Sequence, residues 1–178
     1  GYFLYGNHTN DMADALIPSL ICFPKDVSVI VHPNNVSMKF LGKITPFLGA
    51  LPLPDDMKAA KNFNTALKHK IEKKDCVAIY PEAHIWPYYT KIRAFKDTSF
   101  GYPIKQNAKV FCFTNTYQKR KYRKTPKMVT YINGPFYANK DLTLKEQKED
   151  LRNQVYQAMC KASKHSNVEM IQYIKIEE

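Results

Sequence analysis

Apolar and polar positions along the chain alternate between two periods. Tyr2-Phe3-Leu4-Tyr5, Val27-Ser28-Val29-Ile30-Val31, Cys76-Val77-Ala78-Ile79-Tyr80, Val110-Phe111-Cys112-Phe113 and Met128-Val129-Thr130-Tyr131-Ile132 are short, β-branched or aromatic, and bounded by turn residues. They predict strands, mostly buried. From Asp55 to Lys74 the period lengthens: Met57, Ala60, Phe63, Leu67 and Ile71 recur at three- and four-residue intervals, which predicts an amphipathic helix. A second helix is predicted from Thr143, which forms a capping box with Glu146, and its apolar stripe is Leu144, Leu151, Val155, Ala158, Met159 and Ala162. Near the start, the run ending at Gly6 gives way to polar Asn7–Asp14 and then to Ala15-Leu16-Ile17, which predicts a strand, a loop and a helix. Strands alternating with helices predict an α/β fold, a single domain over residues 1–178 with a central mixed, largely parallel sheet flanked by helices.

At 178 residues and 44% hydrophobic content, the chain can bury one substantial core but has little room for two. Cys22, Cys76, Cys112 and Cys160 are widely spaced, as expected of free thiols in a reducing compartment. No two Cys or His residues fall at zinc-ligand spacing, so no metal is expected. With 27 Lys and Arg against 16 Asp and Glu, the net charge of +11 favours polyanionic partners: anionic lipid, a phosphorylated cofactor or nucleic acid. No apolar run approaches the roughly 18 residues that span a bilayer. The chain opens on Gly1 with a strand immediately following, so a natural N-terminal segment is expected to precede it.

The candidate chemistry begins at His8. If Thr9 or Asn10 caps the helix, Asp11 falls in its first turn and Asp14 about a turn further in. Helical side chains lean toward the N-terminus, so Asp14 points back to the loop carrying His8. A carboxylate on one imidazole nitrogen leaves the other free to remove a proton. On this segment alone the alternative has the stronger claim: a loop histidine, with Asp11 serving only the helix dipole, because short-range His–Asp pairs are common by chance. A second segment, Tyr80-Pro81-Glu82-Ala83-His84, places an acid and a histidine just past a buried strand, where α/β sheets form ligand sites. An aromatic and basic stretch follows, from Ile85 to Phe100.

Taken together, these segments resemble the glycerolipid acyltransferase family, the group that includes 1-acylglycerol-3-phosphate acyltransferases. Asn7-His8 to Asp14 is similar to the family's first block. Lys43-Ile44-Thr45-Pro46-Phe47-Leu48-Gly49-Ala50-Leu51 is similar to its second, which leads into a short strand. Tyr80-Pro81-Glu82 with the later Phe95-Lys96 is similar to its third, and Ile132-Asn133-Gly134-Pro135 before a capped helix to its closing strand, turn and helix. The resemblance implies transfer of a fatty acyl group from acyl-coenzyme A or acyl-carrier protein, as co-substrate, to the hydroxyl of a lysophospholipid or glycerol-phosphate acceptor. His8 would be the general base and Glu82 part of the acceptor site, with no other cofactor. It also implies a place on the cytoplasmic side of a membrane, either peripheral or held by a preceding segment.

Three departures stand out. The family has four residues between His and Asp, whereas here five precede Asp14 and two precede Asp11. Asp14 is favoured because the helical pattern resumes right after it, and Asp11 remains the competitor. Ala83-His84-Ile85 replaces Gly-Thr-Arg, which leaves Arg93, Lys96 and Lys43 as the candidates to hold a phosphate. His84 is a candidate second acid or base, although a structural hydrogen bond is the commoner role for a histidine at a strand end. The basic run Lys119–Lys124, with Lys127, reads as a solvated hairpin loop, a contact to anionic headgroups, or a contact to coenzyme A phosphates. A nucleic-acid contact for this run ranks last, for want of any accompanying motif, and the alternative to the acyltransferase reading is a basic binding module that recognises nucleic acid or anionic surfaces through residues 119–127, with the His–Asp segment merely structural.

Overall fold

A computed structural model of the chain describes residues 1–32 and 49–174. Lys43 and most of the second sequence block lie outside the described residues. Six strands form one sheet in the order β3-β2-β4-β1-β5-β6, where β1 is Tyr2–Gly6, β2 Val27–Val31, β3 Ala50–Pro52, β4 Cys76–Ile79, β5 Lys109–Gln118 and β6 Lys127–Phe136. Every neighbouring pair is parallel except β5 and β6, which form an antiparallel hairpin. Among the described residues four α-helices flank the sheet, α1 (Asp11–Cys22), α2 (Met57–Glu72), α3 (Gly101–Lys105) and α4 (Leu144–Ser163), with a 3₁₀ turn at Thr98–Phe100. This is the α/β architecture the alternating periods predict.

Helices pack on both faces of the sheet. Phe3 and Tyr5 of β1 and Val77 and Ile79 of β4 point to one side, where they pack with Phe63 and Leu67 of α2 and Leu151, Val155 and Met159 of α4. Leu4, Cys76 and Phe113 point to the other and meet Ile17 and Cys22 of α1. Period-two alternation in the strands thus feeds two cores. Caps set the helix starts: Asn10 Oδ1 accepts from Ala13 N at 3.0 Å, Asp56 Oδ1 from Ala59 N at 2.6 Å, and Thr143 exchanges both capping-box bonds with Glu146. All four cysteines are free. No helix among the described residues is long and apolar enough to cross a membrane.

Two elements depart from the periodic reading. Met57 and Leu144, assigned to apolar stripes, are exposed. Each is the first residue of its helix and stands out from the packed face, whose first core residues are Phe63 and Leu151, about two turns later. Strands β5 and β6 are each 10 residues long, well beyond the apolar runs that announce them. Asn115 and Thr116 continue β5 because their polar groups find partners in the interior, as in Thr116 Oγ1 donating to Val129 O at 2.9 Å, whereas the buried Thr114 Oγ1 has no partner among the described residues. Gly134 and Pro135, read as a turn, lie inside β6. There the pairing with β5 is irregular, Gly134 has φ +124°, and the edge position tolerates a proline.

Candidate functional site

Strands β1 and β4 are parallel neighbours whose connections leave toward opposite faces of the sheet. The chain after β1 turns into α1 on one face, while that after β4 leads to the 3₁₀ turn and α3 on the other. Such a divergence opens a crevice at the carboxyl ends of the strands. His8 enters it from β1 and Glu82 from β4.

The loop Asn7–Asn10 folds around the Asp14 carboxylate. Asp14 Oδ2 accepts from His8 Nδ1 at 2.9 Å, Thr9 N at 2.8 Å and Asn10 N at 2.9 Å, while Oδ1 accepts from Asn115 Nδ2 at 3.2 Å. An ionised carboxylate can only accept, so the proton on the His8 ring is on Nδ1. Nε2 has no hydrogen-bond partner among the described residues, and the imidazole is 19% exposed. Asp14 is therefore the partner of His8, and the five-residue spacing is absorbed by Thr9 and Asn10, whose N–H groups arch over the carboxylate. Asp11 opens α1, and its side chain lies outside what is described.

Residues that sequence patterns do not reveal hold this pair in place. Pro18 lies inside α1 and has no N–H, which leaves the Asp14 carbonyl without its helical donor. The Tyr80 hydroxyl supplies one, donating to Asp14 O. The Tyr80 ring also stacks on the His8 imidazole, with centroids 4.5 Å apart and planes at 21°. Burial, and then the Asp14 charge, push the Tyr80 phenol up, so it stays a donor. From β5, Asn115 N donates to Asn7 Oδ1 at 2.8 Å and Asn7 Nδ2 donates to Asn115 O at 3.0 Å. Tyr117 OH donates to Thr9 O at 3.2 Å and lies 2.9 Å from Thr9 Oγ1. Burial pushes that phenol up to about 12. The one sequence signal for this support is the polar triplet Thr114–Thr116 inside a buried strand. At Gly6 the approach is close, because a Cβ there would overlap the buried Phe113 ring.

Glu82 ties the third block to the first. Its Oε2 accepts from His8 N at 3.4 Å and Arg93 Nη2 at 3.0 Å, and its Oε1 accepts from Arg93 N at 3.0 Å. Arg93 also donates to His84 O and stacks on Trp86, its Cζ 4.8 Å from the ring. Trp86 N donates to His8 O and Tyr88 N to Thr9 O, each at 3.0 Å, so the aromatic stretch lies along the His8 loop. Ala83 stands where the family's glycine would be and adopts φ +66°, a left-handed conformation that costs a non-glycine residue about 1 kcal/mol. The side chains of His84 and Lys96 are exposed. The structure thus brings His8, Asp14, Glu82 and Arg93 into one network and leaves the His84 imidazole and Lys96 at its surface. Among the described residues, no three His, Cys, Asp or Glu side chains cluster as a metal site requires.

Burial pushes the Glu82 carboxyl up, although the Arg93 charge and the N–H groups of Arg93 and His8 oppose the shift. Desolvation therefore offsets part of what the ion pair contributes. Glu82→Gln leaves the nearly buried guanidinium without its counter-charge, and the expected loss is about 2 kcal/mol of folding stability, read from chemical denaturation. A loss below about 0.5 kcal/mol would show that solvent replaces the carboxylate.

No protein-family model and no curated protein sequence matches the chain. Among solved structures it is similar to the 1-acyl-sn-glycerophosphate (LPA) acyltransferase PlsC from Thermotoga maritima, with a TM-score of 0.63 and 16% identity over 94% of this chain and 68% of that one. The chain has an acyltransferase-like fold, as the order of the four sequence blocks implies.

Proposed function

We propose that this protein is an acyltransferase that moves a fatty acyl group from an acyl-thioester to the hydroxyl of a lysophospholipid or glycerol-phosphate acceptor. The observation that carries the reading is the His8–Asp14 pair, with Nδ1 held by a buried carboxylate and Nε2 unpartnered among the described residues on a partly exposed imidazole. His8 Nε2 takes the acceptor's hydroxyl proton as the oxygen attacks the thioester carbonyl. The carbon–sulfur bond then breaks, and the imidazolium returns its proton to the leaving sulfur. The products are an ester and a free thiol, with no covalent enzyme intermediate. Asp14 keeps the proton on Nδ1 and stabilises the imidazolium, and the Tyr80 ring fixes the plane of the base.

On this reading Glu82 belongs to the acceptor site by anchoring Arg93, whose charge, with that of Lys96, meets the acceptor's phosphate. Glu82 also fixes the His8 loop through the backbone N–H. The acyl-transferase-like fold supports the reading, as does the convergence of these residues at the carboxyl edge of the sheet. The expected result is thiol release from a long-chain acyl-coenzyme A or acyl-carrier protein that depends on the acceptor. A panel of glycerol-3-phosphate, lysophosphatidate, other lysophospholipids and unphosphorylated alcohols should rank the phosphorylated acceptors first. Thiol release that no acceptor stimulates would overturn the proposal, and equal use of unphosphorylated alcohols would remove Arg93 and Lys96 from it.

A further inference from the structure

Helix α1 buries Asp14, Ile17, Pro18 and Cys22 and turns an apolar ridge to the outside. Met12 is 78% exposed, Leu16 53%, Leu20 76% and Phe23 83%. Spaced by four, four and three residues, they form one stripe about 17 Å long. From Met12 to Pro24 no exposed side chain carries a charge, in a chain that is 24% charged. Isolated exposed leucines are ordinary, but a continuous stripe of four large apolar side chains marks a surface that is covered in use.

Lysines lie toward both ends of the stripe, where Asp11 and Asp26 are the acidic residues next to it in the chain. Beyond Phe23, Lys25 Nζ donates to Lys74 O at 3.1 Å. Lys25 Nζ also lies over the Tyr2 ring, 5.6 Å from its centroid, and Lys109 is the register partner of Tyr2 on β5, so Lys25, Lys74 and Lys109 gather near the Gly1 amine, with Asp75 also beside it. At the other end, β5 runs parallel to β1 past the Tyr117–Thr9 contact. It therefore delivers the exposed loop Lys119–Lys124 to the same sheet edge as His8. A second copy of this chain would bring another +11 against these charges, whereas an anionic surface neutralises them.

We infer that α1 is a lipid-docking helix: its Met12, Leu16, Leu20 and Phe23 ridge enters the interface of an anionic phospholipid bilayer, with the lysines at its ends against the headgroups. The geometry is that of a helix lying in the interface plane, with the sheet in the place of a polar helical face. His8 precedes the helix by three residues, so docking brings the crevice to the depth of the lipid headgroups. This names a partner for the site proposed above and rests on that reading only where turnover is measured.

The test is sedimentation of the 178-residue chain with vesicles of phosphatidylcholine alone and of an equal mixture with phosphatidylglycerol. The protein should bind the mixed vesicles, and Leu16→Asp with Leu20→Asp should weaken binding roughly 100-fold or more while leaving the thermal transition unchanged. Lys25→Glu with Lys74→Glu should weaken binding to the mixed vesicles about tenfold and leave binding to neutral ones unaltered. For acyl transfer, the leucine variant should lose turnover of vesicle-borne acceptor but keep that of a water-soluble short-chain one. Failure of the parent chain to bind, or undiminished binding by the leucine variant, would overturn the inference. So would a concentration-dependent dimer abolished by the same substitutions, since the ridge would then cover a second copy. Vesicle binding without any acyl transfer would leave the docking surface standing and remove the catalytic reading.

Discussion

His8→Ala is expected to lower acceptor-dependent thiol release by a factor of about 10²–10⁴, the usual contribution of a positioned general base. The same substitution should leave the fold intact. The imidazole is partly exposed, and its loss removes one of the three donors on Asp14 Oδ2 while Thr9 N and Asn10 N remain. The expected stability change is about 1 kcal/mol, the net value of one hydrogen bond. Measuring turnover and denaturation midpoint on one preparation separates the two effects. Undiminished turnover in a folded variant would remove His8 as the base, and equal losses in both would make it structural.

Asp14→Asn is expected to lower turnover by roughly 10²–10³, with about 2 kcal/mol of destabilisation. The amide oxygen can replace Oδ2 and receive the His8, Thr9 and Asn10 donors. Its NH₂ then faces Asn115 Nδ2, a donor, so Asn115 must turn over. That rotation also exchanges the atom that Thr130 Oγ1 meets at 2.7 Å. What the substitution removes beyond this rearrangement is the negative charge that stabilises the imidazolium. Asp11→Asn serves as the control, with little effect expected. If it silenced the protein while Asp14→Asn did not, the role of orienting His8 would pass to Asp11.

Much of this site was legible in the chain because its central contact is local. His8 and Asp14 are six residues apart, and the lean of helical side chains toward the N-terminus allows them to meet, a reading that the later sequence blocks then favour. The choice between Asp14 and Asp11 was legible only in outline, since it depended on which residue caps the helix. With Asn10 as the cap, two loop N–H groups converge on the Asp14 carboxylate. Tyr80 was visible as the aromatic residue of the third block, but not as the donor to the carbonyl that Pro18 leaves free. Asn115 lies 101 residues from Asp14, and no period or spacing carries information over that distance.

By itself, the sequence determined the alternation of strands and helices and the Thr143 cap, because these follow from propensities acting within a few residues, and it offered the His–Asp pair as one of two readings. Tertiary structure alone decided that β1 lies between β4 and β5, and hence that His8, Glu82 and Asn115 share one edge of the sheet. It also decided that the apolar ridge of α1 faces outward. A period of 3.6 says which residues share a face of a helix. What covers each face depends on elements far away in the chain, and among the described residues α2, α3 and α4 pack on one side of the sheet and α1 on the other.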